Sequence, residues 1–226
     1  MTNRTMMAID AQIEGRHLLT HPFYQAWQRG ELTQAALADY ATQYYAHVAM
    51  FPRYLSALHS HMENETSRRV VLENLMDEEA GQPNHPELWL QFAEGVGASR
   101  SAVKTTATEP ETRALTQTLM EICRYSSVAA GLAALYSYES QIPAIAATKI
   151  DGLKQFYGIT DEKSLAYFQV HQEADVAHAA AERTLLTHHL NDTDAGDAVD
   201  ASARTVDALW NLLSGVCARH GIAMAA

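Results

Sequence analysis

Residues 128–147 form the most apolar stretch of the chain, and a glutamate, Glu139, stands near its middle. A run this apolar must be covered on most sides. Tyr136, Tyr138, Glu139, Gln141 and Pro143 interrupt it, so it reads as a buried helix rather than a membrane span. Carboxylates are almost never fully buried unless paired or bound to a metal. Either Glu139 lies on an exposed stripe, or it meets positive charge in the interior.

The rest of the sequence supplies helices to surround such a core. Alternating Val/Ile/Thr runs are missing, and apolar residues recur at helical spacing throughout. A first helix is expected over 6–19, broken by His21-Pro22, with a short helix through Trp27 ended by Gly30. Thr33 caps a long segment through His61, with a kink expected at Pro52. Asn64 opens the next helix, which Gly81 stops, and another runs over 85–94. Thr108-Glu-Pro-Glu111 has capping-box form. Helices over 128–149, 161–189 and 197–219 complete the chain. The expected fold is all-α, a single domain over residues 1–226 with seven to nine helices.

Composition narrows the function classes. The 226 residues carry a net charge of −11 without Lys/Arg clusters, which argues against nucleic acid or an anionic membrane as partner. Cys123 and Cys217 are far apart and in no ligand spacing, which suggests reduced thiols in a cytoplasm. The first eleven residues hold no apolar signal core.

Positive charge for Glu139 can come from a metal. His171, Asp175 and His178 fall at i, i+4 and i+7, on one face of a helix. Two imidazoles and a carboxylate on one face suit a divalent transition metal, although a solvated polar stripe has the same spacing. In an antiparallel hairpin, Glu139 is ten residues before the expected end at Lys149, and His171 ten after the expected start at Asp161. Both would lie roughly 15 Å from the turn, at one level. Glu78 and His85 are separated by Gly81 and Pro83, so they could meet only across a turn. With these residues together, three carboxylates favour two divalent ions over one. Six N/O ligands without thiolate suit iron or manganese. The Glu-x-x-His pattern of ferritin-type sites is missing.

Glu78…Asn84-His85, Glu139 and His171…Asp175…His178 resemble the ligand set of the haem-oxygenase-like dimetal oxidases. The likeness extends through His21-Pro-Phe-Tyr24, Asn74-Leu-Met-Asp-Glu-Glu-Ala-Gly81 and Tyr136-Ser-Tyr-Glu-Ser-Gln-Ile-Pro143. The chain is most similar to the branch typified by the chlamydial protein associating with death domains, within a superfamily that includes thiaminase-II-like and PQQ-synthesis proteins. The resemblance implies a haem-oxygenase-like helical bundle, often a homodimer. It implies formation of 4-aminobenzoate for folate synthesis, dependent on O2, a reductant or electron donor, and an Fe/Fe or Mn/Fe pair. The protein itself would be the substrate: Tyr24 would supply the aromatic ring and Lys149 the amino group. Tyr40, Tyr138 and Tyr167 would sit near the site or relay radicals.

Geometry bears unevenly on these roles. Tyr138 adjoins Glu139, and Tyr167 is one turn before His171. On a straight helix Lys149 would lie ~15 Å from Glu139, so it reaches the site only if the helix kinks at Pro143 or unwinds. The alternative is a PQQ-synthesis or thiaminase-like oxidase or hydrolase acting on a small cofactor precursor. The thiaminase chemistry needs a nucleophilic cysteine, but the matching segment reads Leu135-Tyr-Ser-Tyr-Glu139. A polyanionic precursor would need Arg and Lys, whereas the 161–189 helix supplies only Lys163 and Arg183. Nothing in the sequence supports a death-domain partner.

Overall fold

The computed structural model describes residues 2–223. Among them all regular structure is helical. The helices are α1 (Thr2–Gly15), α2 (Pro22–Arg29), α3 (Gln34–His61), α4 (Glu65–Ala80), α5 (His85–Gly95), α6 (Arg100–Thr105), α7 (Pro110–Tyr125), α8 (Val128–Glu139), α9 (Ile142–Phe156), α10 (Glu162–His189) and α11 (Ala195–His220). No described helix is long and apolar enough to cross a membrane.

Local chemistry sets most of these boundaries. The side chains of Thr33, Asn64 and Asp161 accept from the backbone N–H groups of Ala36, Ser67 and Ser164, as their positions predict. Gly30 ends α2 in the left-handed region at φ 68°. Thr108 does not cap α7. Pro110 occupies the first turn and shifts the N-cap to Glu109, whose N–H is held by Gln43 Oε1 at 2.8 Å. The first helix begins earlier than expected and stops at Gly15, before a 3-10 turn at Leu18–Thr20. Helix α3 is one element through Pro52.

Among the described residues there are eleven helices where seven to nine are expected, for two reasons. Helix α6 has only six residues, too few for a periodic pattern. The apolar segment after Val128 is two helices, because α8 ends at Glu139 and α9 starts at Ile142 with Pro143 in its first turn. Gln141 fastens the junction: its Nε2 donates to Ser137 O at 2.7 Å, and its Oε1 accepts from Leu18 N at 2.9 Å.

Helix α8 is the axis of the bundle. Every residue from Ala129 to Glu139 is buried, and α7, α10 and α11 pack on it. Small residues let neighbours approach closely. A Cβ at Gly131 would lie 2.7 Å from Leu58 Cδ1 of α3. Helix α10 lies along α5, α8 and α9. Phe23, Phe92 and Phe168 are fully buried, each contributing about 1.5–3 kcal/mol by leaving water. Helices or their first and last turns thus carry Glu78, His85, Glu139 and the His171–His178 face.

Candidate metal centre

The six carboxylates and imidazoles come together inside the bundle as two triads. Glu78, His85 and His171 form one, and Glu139, Asp175 and His178 the other. Within each, one ligand atom per residue lies within 4.8 Å of the other two, and all six side chains are buried.

Helix ends and periodicity explain the placement. Glu78 stands in the last turn of α4. Asn84 then caps α5 by accepting from Glu87 N, so His85 begins α5 facing back toward Glu78. His85 Nδ1 approaches Glu78 Oε1 at 3.0 Å and His171 Nε2 approaches it at 3.8 Å. About two turns farther along α10, His178 Nδ1 lies 3.5 Å from Asp175 Oδ1 and 3.8 Å from Glu139 Oε1.

Outer hydrogen bonds orient these groups. His171 Nδ1 donates to Tyr167 O at 2.7 Å, which leaves Nε2 to face Glu78. His178 Nε2 donates to Asp77 Oδ2 at 3.0 Å, which leaves Nδ1 to face inward. Asn74 Nδ2 reaches both Glu139 oxygens, at 3.1 and 3.2 Å. Imidazoles that ligate metals commonly use their other nitrogen this way.

The donor set fits a pair of divalent cations. His85 Nδ1, His178 Nδ1 and both Asp175 oxygens are buried without a hydrogen-bond partner. Orphaned buried acceptors cost about 1–3 kcal/mol each unless something satisfies them. They lie within each triad close enough together for one cation to satisfy all three residues. Electrostatics agree. Burial opposes charge on His171, yet Asp175 and Glu78 outweigh it and push the imidazole up to about 9. Burial likewise opposes charge on Glu78, but His171 and His85 hold it down to about 2. Burial pushes Glu139 up to about 7.

Beside the first triad is a cluster of aromatic rings enclosing Lys149. Tyr167 stacks on His171, with ring centroids 4.0 Å apart. Trp89 meets Tyr167 at 4.8 Å and stacks on Tyr44 at 5.0 Å. Tyr44 Oη donates to Tyr138 Oη at 3.4 Å. Tyr40 packs against Tyr44 and shares a 3.3 Å hydroxyl contact with Tyr24. Lys149 Nζ donates to Tyr40 Oη at 2.6 Å. It lies 5.0–5.5 Å from the ring centres of Tyr24, Tyr40, Tyr44, Trp89 and Phe168. Burial pushes the Lys149 amine well below its usual range and holds Tyr24, Tyr40, Tyr138 and Tyr167 well above theirs. Burial thus disfavours charge on both the amine and the phenols it faces.

All eleven expected site residues thus lie in two adjoining clusters, with one correction. Glu139 is level with His178, not His171. The expected start at Asp161 holds, as the N-cap of α10, but the expected single helix ending at Lys149 is two helices, the second running to Phe156, so Glu139 is not ten helical residues from the turn. The break after Glu139 also turns α9 so that Lys149 reaches the rings, which a straight helix would prevent.

Several residues went unnoticed in the sequence. Tyr44 and Trp89 link the tyrosines, and only the i, i+4 spacing of Tyr40 and Tyr44 marks the first. Asn74 and Asp77 sit one turn and one residue before Glu78. Glu182 is 4% exposed and extends the α10 face one turn beyond His178. His47 is buried with both ring nitrogens unpartnered, its ring 4.6 Å from that of Tyr138.

Residues 38–210 match the family described as iron-containing redox enzyme. A 4-aminobenzoate synthase of Nitrosomonas europaea is 44% identical over 225 residues, covering 95% of this chain and 92% of the relative. A 4-aminobenzoate synthase of Chlamydia muridarum is 43% identical over 205 residues, covering 91% and 86%. A domain with a haem-oxygenase-like fold from Shewanella denitrificans superposes with a TM-score of 0.81 at 18% identity, covering 97% of this chain and 93% of that one.

Proposed function

The chain belongs to the iron-containing redox enzyme family, and from that membership we propose that it is a 4-aminobenzoate synthase that consumes its own side chains. The relatives of 43–44% identity support the product assignment. The observation that carries the self-consuming part is the packing of Lys149. Its amine touches tyrosine rings on several sides, and the gap beside it is only about 10 Å³, roughly room for one water. A separate aromatic substrate has no space there, whereas Tyr24 and Tyr40 already do.

In this reading Glu78, His85 and His171 hold one metal ion, and Glu139, Asp175 and His178 the other. An iron pair or a manganese–iron pair bound there supplies oxidising equivalents from O2, with a reductant or electron donor as co-substrate. The chain's own residues do the rest. Asp77, Asn74 and the Tyr167 carbonyl hold the ligands in register. Tyr167, on His171, begins a path of closely packed rings through Trp89 and Tyr40 to Tyr24, with Tyr138 and Tyr44 beside it. Lys149, whose charge burial disfavours, lies against the phenol of Tyr40 and is the amino donor. Tyr24 supplies the aromatic ring. Tyr40 has the shorter contact to Lys149 and competes for that role. A homodimer in the cytoplasm completes the proposal.

The test is production of 4-aminobenzoate by purified protein given only iron, manganese, reductant and air. Wild type forms product and binds about two metals per chain. Glu139→Ala and His171→Ala lose product by at least ~100-fold and show a sharp fall in metal content. Wild type that binds no metal, or variants that match it, would overturn the reading.

A further inference from the structure

The rings around Lys149 are closed to solvent. Tyr24, Tyr40 and Trp89 are fully buried, and the gap beside the amine is only about 10 Å³. That is roughly room for one water. A soluble reductant therefore cannot touch these rings. Tyrosine and tryptophan can each lose and regain one electron, so electrons can still arrive through other rings in contact.

The packing supplies such a line. The Trp27 ring lies 6.0 Å from that of Tyr40 and 5.9 Å from that of Tyr157, edge-on to both. Trp27 is fully buried, whereas Tyr157, directly after α9, is half-buried. Gly152 makes room for the indole: a Cβ there would lie 2.5 Å from Trp27 Cδ1 and Nε1. Ring pairs at these distances also occur in ordinary cores. Two details go further. Buried indoles usually find a hydrogen-bond partner, but Trp27 Nε1 has none. An indole with no acceptor keeps its proton when oxidised and passes the hole on. Tyr157 Oη accepts from Leu32 N at 3.3 Å, a bond that does not use its own proton. Half-exposed, Tyr157 can give that proton to water.

We propose that Trp27 and Tyr157 form a surface branch of the ring path, through which a soluble one-electron reductant refills holes left at Tyr40. This rests on the reading that the rings beside Lys149 are oxidised during the reaction. A Tyr40 radical takes an electron from Trp27 and regains the proton it had passed along its hydrogen bonds to Lys149 and Tyr24. The Trp27 radical cation takes an electron from Tyr157, which releases its proton to water. A reductant of the ascorbate class returns an electron to Tyr157, and water returns the proton. The sum is one electron moved from reductant to Tyr40, with every proton back where it began.

The first test needs no metal. Lys154 is exposed and precedes Tyr157 by three residues, about one helical turn. Lys154→Cys gives an attachment point for a ruthenium trisbipyridyl photo-oxidant, since Cys123 and Cys217 are buried. A flash with an electron-accepting quencher oxidises the label, and transient absorption follows the hole. A tryptophanyl radical is expected after the flash. It is lost when Trp27→Phe or Tyr157→Phe is added. Tyr157→Phe removes only a hydroxyl, and unchanged helical circular dichroism checks that it folds. In the second test, wild type and Tyr157→Phe are loaded with iron and manganese and given air and ascorbate. At equal metal content the variant is expected to oxidise ascorbate more slowly. A tryptophanyl yield unchanged in both variants, or equal ascorbate oxidation, would overturn the inference and leave the metal reading intact. Metal-loaded wild type that oxidises none of its own residues in air would overturn that reading, and the inference with it.

Discussion

Lys149 shows how a single residue can be invisible to periodicity and still stand at the centre of the aromatic cluster. On sequence spacing it looks like a cation near a helix C-terminus. In the fold it is 3% exposed and surrounded by five rings. Burial lowers its pKa below the ordinary 10.5. Between the folded and unfolded pKa values the unfolded chain therefore binds the extra proton, and wild type carries a stability penalty that fades as pH rises toward 10.5. Lys149→Met should thus abolish 4-aminobenzoate formation yet raise stability at neutral pH. That gain should shrink steadily in denaturant melts repeated at higher pH up to about 10. A pH-independent difference would mean that the amine is charged in the folded state. The six candidate metal ligands were more legible than Lys149. His171, Asp175 and His178 share a helical face, and a glutamate inside an apolar helix needs a counter-charge. Glu182 belonged to the same face and could have been found by carrying the periodicity one turn further.

At the level of elements, the ends of helices place the site more than their middles do. Caps at Thr33, Asn64 and Asp161 were readable because a short polar side chain precedes each apolar pattern. The junction between α8 and α9 was not readable. Both helices are apolar, Pro143 is tolerated in a first turn, and nothing local marks Ser140 and Gln141 as a break. That two-residue junction shifts the register of Glu139 by about two turns of α10 and brings Lys149 to the tyrosines. Gln141 holds it by side-chain bonds to Leu18 and Ser137. Gln141→Leu leaves the buried Leu18 N–H unpaired and should cost about 1–3 kcal/mol. Product yield should fall with it, because the start of α9 is no longer tied to the end of α8. Chemical denaturation of both proteins measures the first effect. Unchanged stability would show that the junction is set by packing alone.

For the molecule as a whole, the class of fold was legible from the absence of strand patterns and from one helix apolar enough to need covering on all sides. Which helices cover it was not, since α1, α7 and α11 each have an apolar face that any pairing would bury, and the buried face of α10 is largely polar. The aromatic cluster has the same origin: Tyr24, Tyr40, Lys149 and Tyr167 are far apart in sequence and meet only because α2, α3, α9 and α10 pack together. A protein that takes its substrate from this cluster can turn over only once. The most direct measurement starts from protein carrying ring-13C tyrosine, given unlabelled iron, manganese, reductant and air. The account predicts 4-aminobenzoate that carries the label in its ring, at no more than one molecule per chain, with the mass lost from the peptide containing Tyr24. Unlabelled product, or several molecules per chain, would contradict it.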